Sequence, residues 1–221
     1  MANSTGTQLV TAVRARSGRS NDSVLITEAF ALNALNEGQI HIVRNCPRLI
    51  DLDKTDITTF QLSTDDTDVD ISSLAPAHIG GLWILNGAST RKAGLKYRPL
   101  PEFRNKYIPR AEEGSSEPTE YTRQKNTLLF NYPVASDYDS LYLHIDYTDW
   151  ATDLANGTVA SELSNSNKGL LLFALAEVYD EIALAQPRFE AKALKTRVLF
   201  ERWLDEYKDY NEMCFEELYD E

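Results

Sequence analysis

Three histidines, His41, His78 and His144, are the side chains of this 221-residue chain best suited to moving a proton near neutral pH. None has an acid or a cysteine at a spacing that would assemble a triad or a metal centre. His144 comes nearest, because it shares the polar face of a strand pattern with Tyr142 and Asp146. A general base would need such a neighbour, although a solvent-facing strand position accounts for the pattern more simply. Cys46 and Cys214 lie far apart with no second cysteine or histidine nearby, so both read as free thiols, Cys46 as a small apolar filler near a helix end. Asp66, Asp68 and Asp70 imitate the start of a calcium loop. That match fails where Ile71 replaces the required glycine and Ala77 the bidentate glutamate, which leaves a solvated turn. Gly80-Gly81 leads into no phosphate-binding loop, and no nucleophile elbow occurs. No catalytic residue, metal or cofactor is assigned, and the chain reads as a protein that works through contacts.

Charge patterning says where those contacts lie. The net charge is −12, which opposes binding to nucleic acid over the whole surface. Its distribution is uneven. Arg91, Lys92, Lys96, Arg98, Arg104, Lys106 and Arg110 face only Glu102 within their segment, whereas the last 21 residues carry nine acids against Arg202 and Lys208. Segregation of this kind suits one copy's acidic end meeting another copy's basic face, or a different partner's. No run of about 18 apolar residues exists, so no membrane-spanning helix is expected, and the amino-terminal region has no secretory pattern.

The elements that must hold these groups follow from periodicity. Thr5 or Thr7 caps a short helix with Leu9, Val10 and Val13 on one stripe, and Asp22 or Ser23 caps a second running from Val24 to about Arg44, with Asn33, Asn36, Glu37 and Gln39 on its polar side. Pro47 stops it. The period then changes. Strands are expected over Ile57 to Leu62 and His78 to Asn86, with a helical turn near Pro99 to Lys106 that turns Phe103 and Tyr107 inward. Thr127 to Tyr132 and Asp139 to Tyr147 read as a hairpin about the Pro133 to Asp137 turn. Asp149 to Asn165 is loop-like, with a turn at Asn156-Gly157. Asn165 or Ser166 then caps a helix over Leu170 to Leu184 that is apolar on most sides, and an aromatic stripe from Phe189 to Tyr210 marks its antiparallel partner. The fold class is α+β: a helical bundle built from N- and C-terminal helices with an inserted, mostly antiparallel sheet domain held out from it. Residues 1–50 supply the first helices, 51–164 the insertion, 165–210 the helical hairpin and 211–221 an acidic arm.

The linear order of these pieces resembles a known family. It consists of Ala31 to Gln39 in a helix, Pro101 to Tyr107, Pro118 to Tyr121, Asn126 to Pro133, Leu141 to Tyr147 followed by a tryptophan, and the closing leucine/alanine-rich helix pair. This is similar to the head-to-tail connector, or adaptor, proteins of tailed bacteriophages. The resemblance implies a structural virion protein at the neck, assembled in the host cytoplasm, with no catalytic residues. It implies a ring, usually of twelve copies, beneath the portal that extends the DNA channel and offers a platform to a tail or nozzle protein. It also implies a C-terminal arm reaching toward the portal, here with Glu212, Phe215, Glu216, Leu218 and Tyr219. Arg91 to Arg110 is then expected near a boundary with another subunit or tail protein, and the acidic helices beside a channel through which DNA slides without sequence-specific binding. The competing expectations are a binding module using an exposed sheet edge and a small enzyme using His144 and Asp146.

Overall fold

The computed structural model describes residues 4–19, 26–86, 90–107, 114–154 and 159–219, with the backbone alone at 86, 90–92 and 214–219. Two compact units result, one from residues 1–52 and 150–221 and one from residues 53–149. The α+β class stands, with helices at both chain ends and strands between.

In the helical unit, α1 (Gly6–Arg16), α2 (Glu28–Asn45) and α5 (Glu190–Tyr219) each pack on α4 (Asn167–Ala185) or on a neighbour that does. Thr5 opens α1 with a capping box: its hydroxyl accepts the Gln8 amide while the Gln8 side chain accepts the Thr5 amide. Helix α2 begins later than its periodicity suggests. Thr27 is its cap, accepting the Phe30 amide at 3.1 Å, and Asp22 and Ser23 lie outside the described residues. Helix α4 buries Leu170, Leu171, Ala174, Leu175, Val178 and Ile182 against α1, α2 and α5, in keeping with a sequence apolar on most sides.

Residues 150–164 belong to this unit and not to the insertion. Leu154 and Leu163 are fully buried in it, and polar groups staple the segment to α2. Asn36 accepts the Leu154 amide at 2.8 Å. Gln39 donates to the Thr152 carbonyl at 3.1 Å and accepts the Ser161 hydroxyl at 3.0 Å. Gln39, expected on a polar face, is therefore only 1% exposed. Its hydrogen bonds offset the cost of its burial.

The second unit contains two four-stranded sheets around one core. The first has the order β1 (Asp53–Asp56), β8 (Tyr142–Thr148), β3 (His78–Asn86), β4 (Thr90–Gly94), and the second β2 (Asp68–Asp70), β7 (Thr127–Phe130), β6 (Glu120–Gln124), β5 (Lys96–Tyr97). All pairs are antiparallel except β5 with β6. Leu82, Ile84, Leu143 and Ile145 of the first sheet and Tyr121, Leu128 and Phe130 of the second share the core. Helix α3 (Leu100–Tyr107) packs on β6 through Phe103 and Tyr107, which are buried at i and i+4.

The expected hairpin between Thr127–Tyr132 and Asp139–Tyr147 does not form. Its two strands, β7 and β8, lie in different sheets, and β7 instead makes its hairpin with β6 across Lys125, whose φ is 57°. The linker is a crossing between sheets: Val134 and Tyr138 insert into the core, and Ser116 bridges Val134. The strand expected over Ile57 to Leu62 is likewise displaced. Strand β1 ends at Asp56, whose carboxylate accepts the Thr58 and Thr59 amides, and Ile57 sits exposed in the resulting bend.

Candidate functional site

The basic segment is built around a carboxylate that its own sequence does not contain. Glu120, at the start of β6, accepts Arg98 Nε at 2.5 Å and Nη2 at 2.6 Å, Lys106 Nζ at 3.2 Å and the Tyr107 hydroxyl at 2.6 Å. Parallel pairing of β5 with β6 sets Lys96 opposite Glu120, which places Arg98 just past the strand end beside it. Helix α3 brings Lys106 and Tyr107 from the other side. The four hydrogen bonds, Arg98's foremost, hold the Glu120 carboxyl far below the usual carboxylate range. Arg98 is raised in turn, chiefly by that hydrogen bond, and Lys106 is raised by its contacts with Tyr107 and Glu120.

The seven cations therefore differ in role. Arg98 and Lys106 are engaged with Glu120, and Arg98 also reaches Glu102 at 3.6 Å. Arg104 is exposed and bonds the neutral Gln124 side chain at 3.2 Å, while Lys96 is exposed on β5 with no ion pair among the described residues. Neither meets an acid among the described residues. Arg91 and Lys92 lie on β4, where only backbone is described, and Arg110 lies outside the described residues. Glu120 carried no signal of this role in the sequence, since its partner Arg98 stands 22 positions away.

Of the acidic residues of the C-terminal segment, Glu212, Glu216 and Glu217 belong to α5, which continues helical to Tyr219, and Asp220 and Glu221 lie outside the described residues. Glu212 is exposed, and Phe215, Glu216, Leu218 and Tyr219 are described by backbone alone. The segment begins as an extension of a packed helix whose inner face carries Phe200, Trp203, Leu204, Tyr207 and Asn211.

The histidines are not gathered into one site. His144 and Asp146 do meet, with Nε2 2.7 Å from Oδ1, but the histidine is not solvent-facing: its side chain is 14% exposed and its ring lies 5.1 Å from Trp83, while Asp146 stays partly exposed. The same Asp146 oxygen accepts the Thr55 hydroxyl at 2.8 Å. Gly81 explains the arrangement, since a Cβ there would stand 2.1 Å from the Trp83 ring; the glycine leaves room for the indole to lie on the sheet. His41 belongs to the helical unit, between Phe173 and Phe200 at 5.5 and 5.4 Å. Among the described residues no group of three or more histidine, cysteine and acidic side chains is placed to hold a metal. Burial pushes the Cys46 thiol up to about 11, which removes the thiolate a nucleophile needs. The acids of the 66–70 stretch cap their own backbone: Asp66 accepts the Ser63 amide and Asp70 the Ser72 amide.

No protein-family model matches the chain, and no curated protein matches it. Among the described residues no helix is long and apolar enough to cross a membrane.

Proposed function

We propose that this chain is a structural subunit of a tailed-phage neck, a head-to-tail adaptor that assembles as a ring under the portal. The observation that carries the reading is the organisation of the chain. Both ends build one helical unit around α4 and the middle builds a separate two-sheet unit, in the element order of the adaptor family it resembles. Charge segregation supports it. A ring needs two different patches on each copy, and opposed charge orients such a contact at little cost. Lys96 and Arg104 supply cations on the sheet unit, suited to a boundary with the portal or a tail protein, and Glu212 with Glu216 supplies acids on α5 for a contact with a neighbouring copy. The overall negative charge suits a channel wall along which DNA moves without being held.

The competing readings draw less support. A binding module that adds a peptide strand needs a receptive edge, yet the outer strands of both sheets are short and charged, with the sequences DKTD, DVD, TRKAG and KY. An enzyme built on His144 and Asp146 would need access to a histidine that Trp83 packs against. Electron microscopy of the chain mixed with purified portal particles tests the proposal: a stoichiometric ring on the portal supports it, and bare portals at saturating chain overturn it.

A further inference from the structure

A groove of about 260 Å³ runs between α4 and α5 on the helical unit, with Leu172, Leu199 and Trp203 as its floor and Lys168, Arg202 and Glu206 at its rim. Gly169 makes the floor possible, because any Cβ there would collide with the Trp203 ring. Leu199 is 45% exposed, well above what a core leucine shows. The rim is basic on balance. Lys168 has no ion pair among the described residues, and Arg202 meets only Glu206, at 3.3 Å, in an exposed i,i+4 pair of the kind that contributes little. Lys195, one helical turn before Leu199, adds a third cation along the same side of α5.

A segment of this same chain has the complementary chemistry. The last ten residues, Glu212 to Glu221, contain five acids and no cation, with Phe215, Leu218 and Tyr219 at i, i+3 and i+4. A chain cannot seat that segment in its own groove. Helix α5 is unbroken from Glu190 to Tyr219, so at about 1.5 Å per residue Tyr219 stands roughly 25 Å along the axis beyond Arg202. For this segment to enter such a groove, the groove has to belong to another copy.

We propose that the acidic, aromatic C-terminal end of one copy docks in the Lys168–Leu199–Arg202 groove of the next. Apolar side chains fill the floor over Leu199 and Trp203, and the acids meet Lys168, Lys195 and Arg202. Groove and end are different patches, so the contact is head-to-tail and repeats from copy to copy until it closes. The inference deepens the ring reading by naming one of its contacts, and it rests on that reading only for the number of copies that close.

Sedimentation velocity of the full chain at rising concentration and low salt tests this without portal. Three samples decide it: Lys168→Glu/Arg202→Glu, Glu216→Lys/Glu217→Lys, and an equal mixture of the two. The wild type should show a weight-average mass that climbs with concentration and falls back on adding salt. Each variant alone should lose the climb, and the mixture should regain it, because each reversed groove then meets a reversed end and each native groove a native end. A wild type that stays at monomer mass, a groove reversal that leaves the climb intact, or a mixture that fails to regain it overturns the proposal. Thermal melting checks folding, and Lys168→Gln/Arg202→Gln replaces the groove variant if reversal unfolds it, with loss of the climb still required. A negative result removes this contact and leaves the portal experiment to judge the adaptor reading separately.

Discussion

Glu120 takes two guanidinium hydrogen bonds from Arg98, at 2.5 and 2.6 Å, and this pairing separates the cations that fasten α3 and β5 to β6 from those that stay available. The fork geometry fixes direction as well as charge, which a lysine at position 98 would not do.

Acid should loosen this junction. The folded Glu120 carboxyl lies far below its unfolded value near 4.3, so the folded state binds its proton later than the unfolded chain does. Its stabilisation is complete above about pH 4.3 and fades as pH falls toward the depressed value. Glu120→Gln should lower the melting temperature at pH 7 by a few degrees, with the gap to wild type narrowing below about pH 4. A gap that does not change with pH would mean that the carboxylate's charge is not what binds it.

Charge substitution should distinguish the two sets of cations. Lys96→Gln with Arg104→Glu, which sets no new acid opposite Glu120, should leave stability nearly unchanged, as exposed substitutions do, within about 0.5 kcal/mol. The same variant should bind portal or tail components at least tenfold more weakly. Arg98→Glu should instead destabilise the fold, because it sets a second acid against Glu120. Urea melts and a portal pull-down read both outcomes.

Asn131 is a second junction worth removing. Only 1% exposed, it accepts the Thr119 and Glu120 amides at 2.9 and 3.0 Å and donates to the Thr119 hydroxyl. Asn131→Ala leaves those amides without their acceptor, and the expected loss is about 2 kcal/mol in a denaturant melt.

Helix propensity and packing give opposite answers at Gly169. Replacing a glycine by alanine inside a helix gains up to about 1 kcal/mol, but the added methyl would stand 2.0 Å from Trp203. Displacing that ring, stacked on Tyr207 at 4.8 Å, should cost more, so Gly169→Ala is expected to be destabilising by about 1–3 kcal/mol. A stabilised variant in urea would contradict the packing.

Cys46 should be silent in the folded protein. It is 1% exposed, with its thiol pushed up to about 11, so thiol reagents at pH 8 should leave its peptide unmodified by mass spectrometry until denaturant is added.

What the sequence revealed depended on whether its signal was local. Thr5, one of two candidate caps, opens α1, Phe103 and Tyr107 define the inner face of α3, and the largely apolar sequence of α4 implies the burial on several faces that its neighbours give it. Long-range pairing left no such trace. Alternation identified β7 and β8 as strands but could not say that Val134 and Tyr138 carry the chain from one sheet to the other. Strand β1, with the sequence DKTD, is an edge whose charges hide its pairing with β8. Gln39 looked like a surface residue because its partners, Thr152 and Ser161, are more than a hundred positions away. The same holds for the basic segment: its seven cations were visible, but not that Glu120 engages Arg98 and Lys106.

The adaptor reading stands or falls on one direct measurement, cryo-electron microscopy of this full chain incubated with purified portal particles. A closed ring of identical copies on the portal's tail-facing side, with the DNA channel continuing through its centre, is the expected result. Portal particles that remain bare at saturating chain, or copies bound singly with no contact between neighbours, would contradict it.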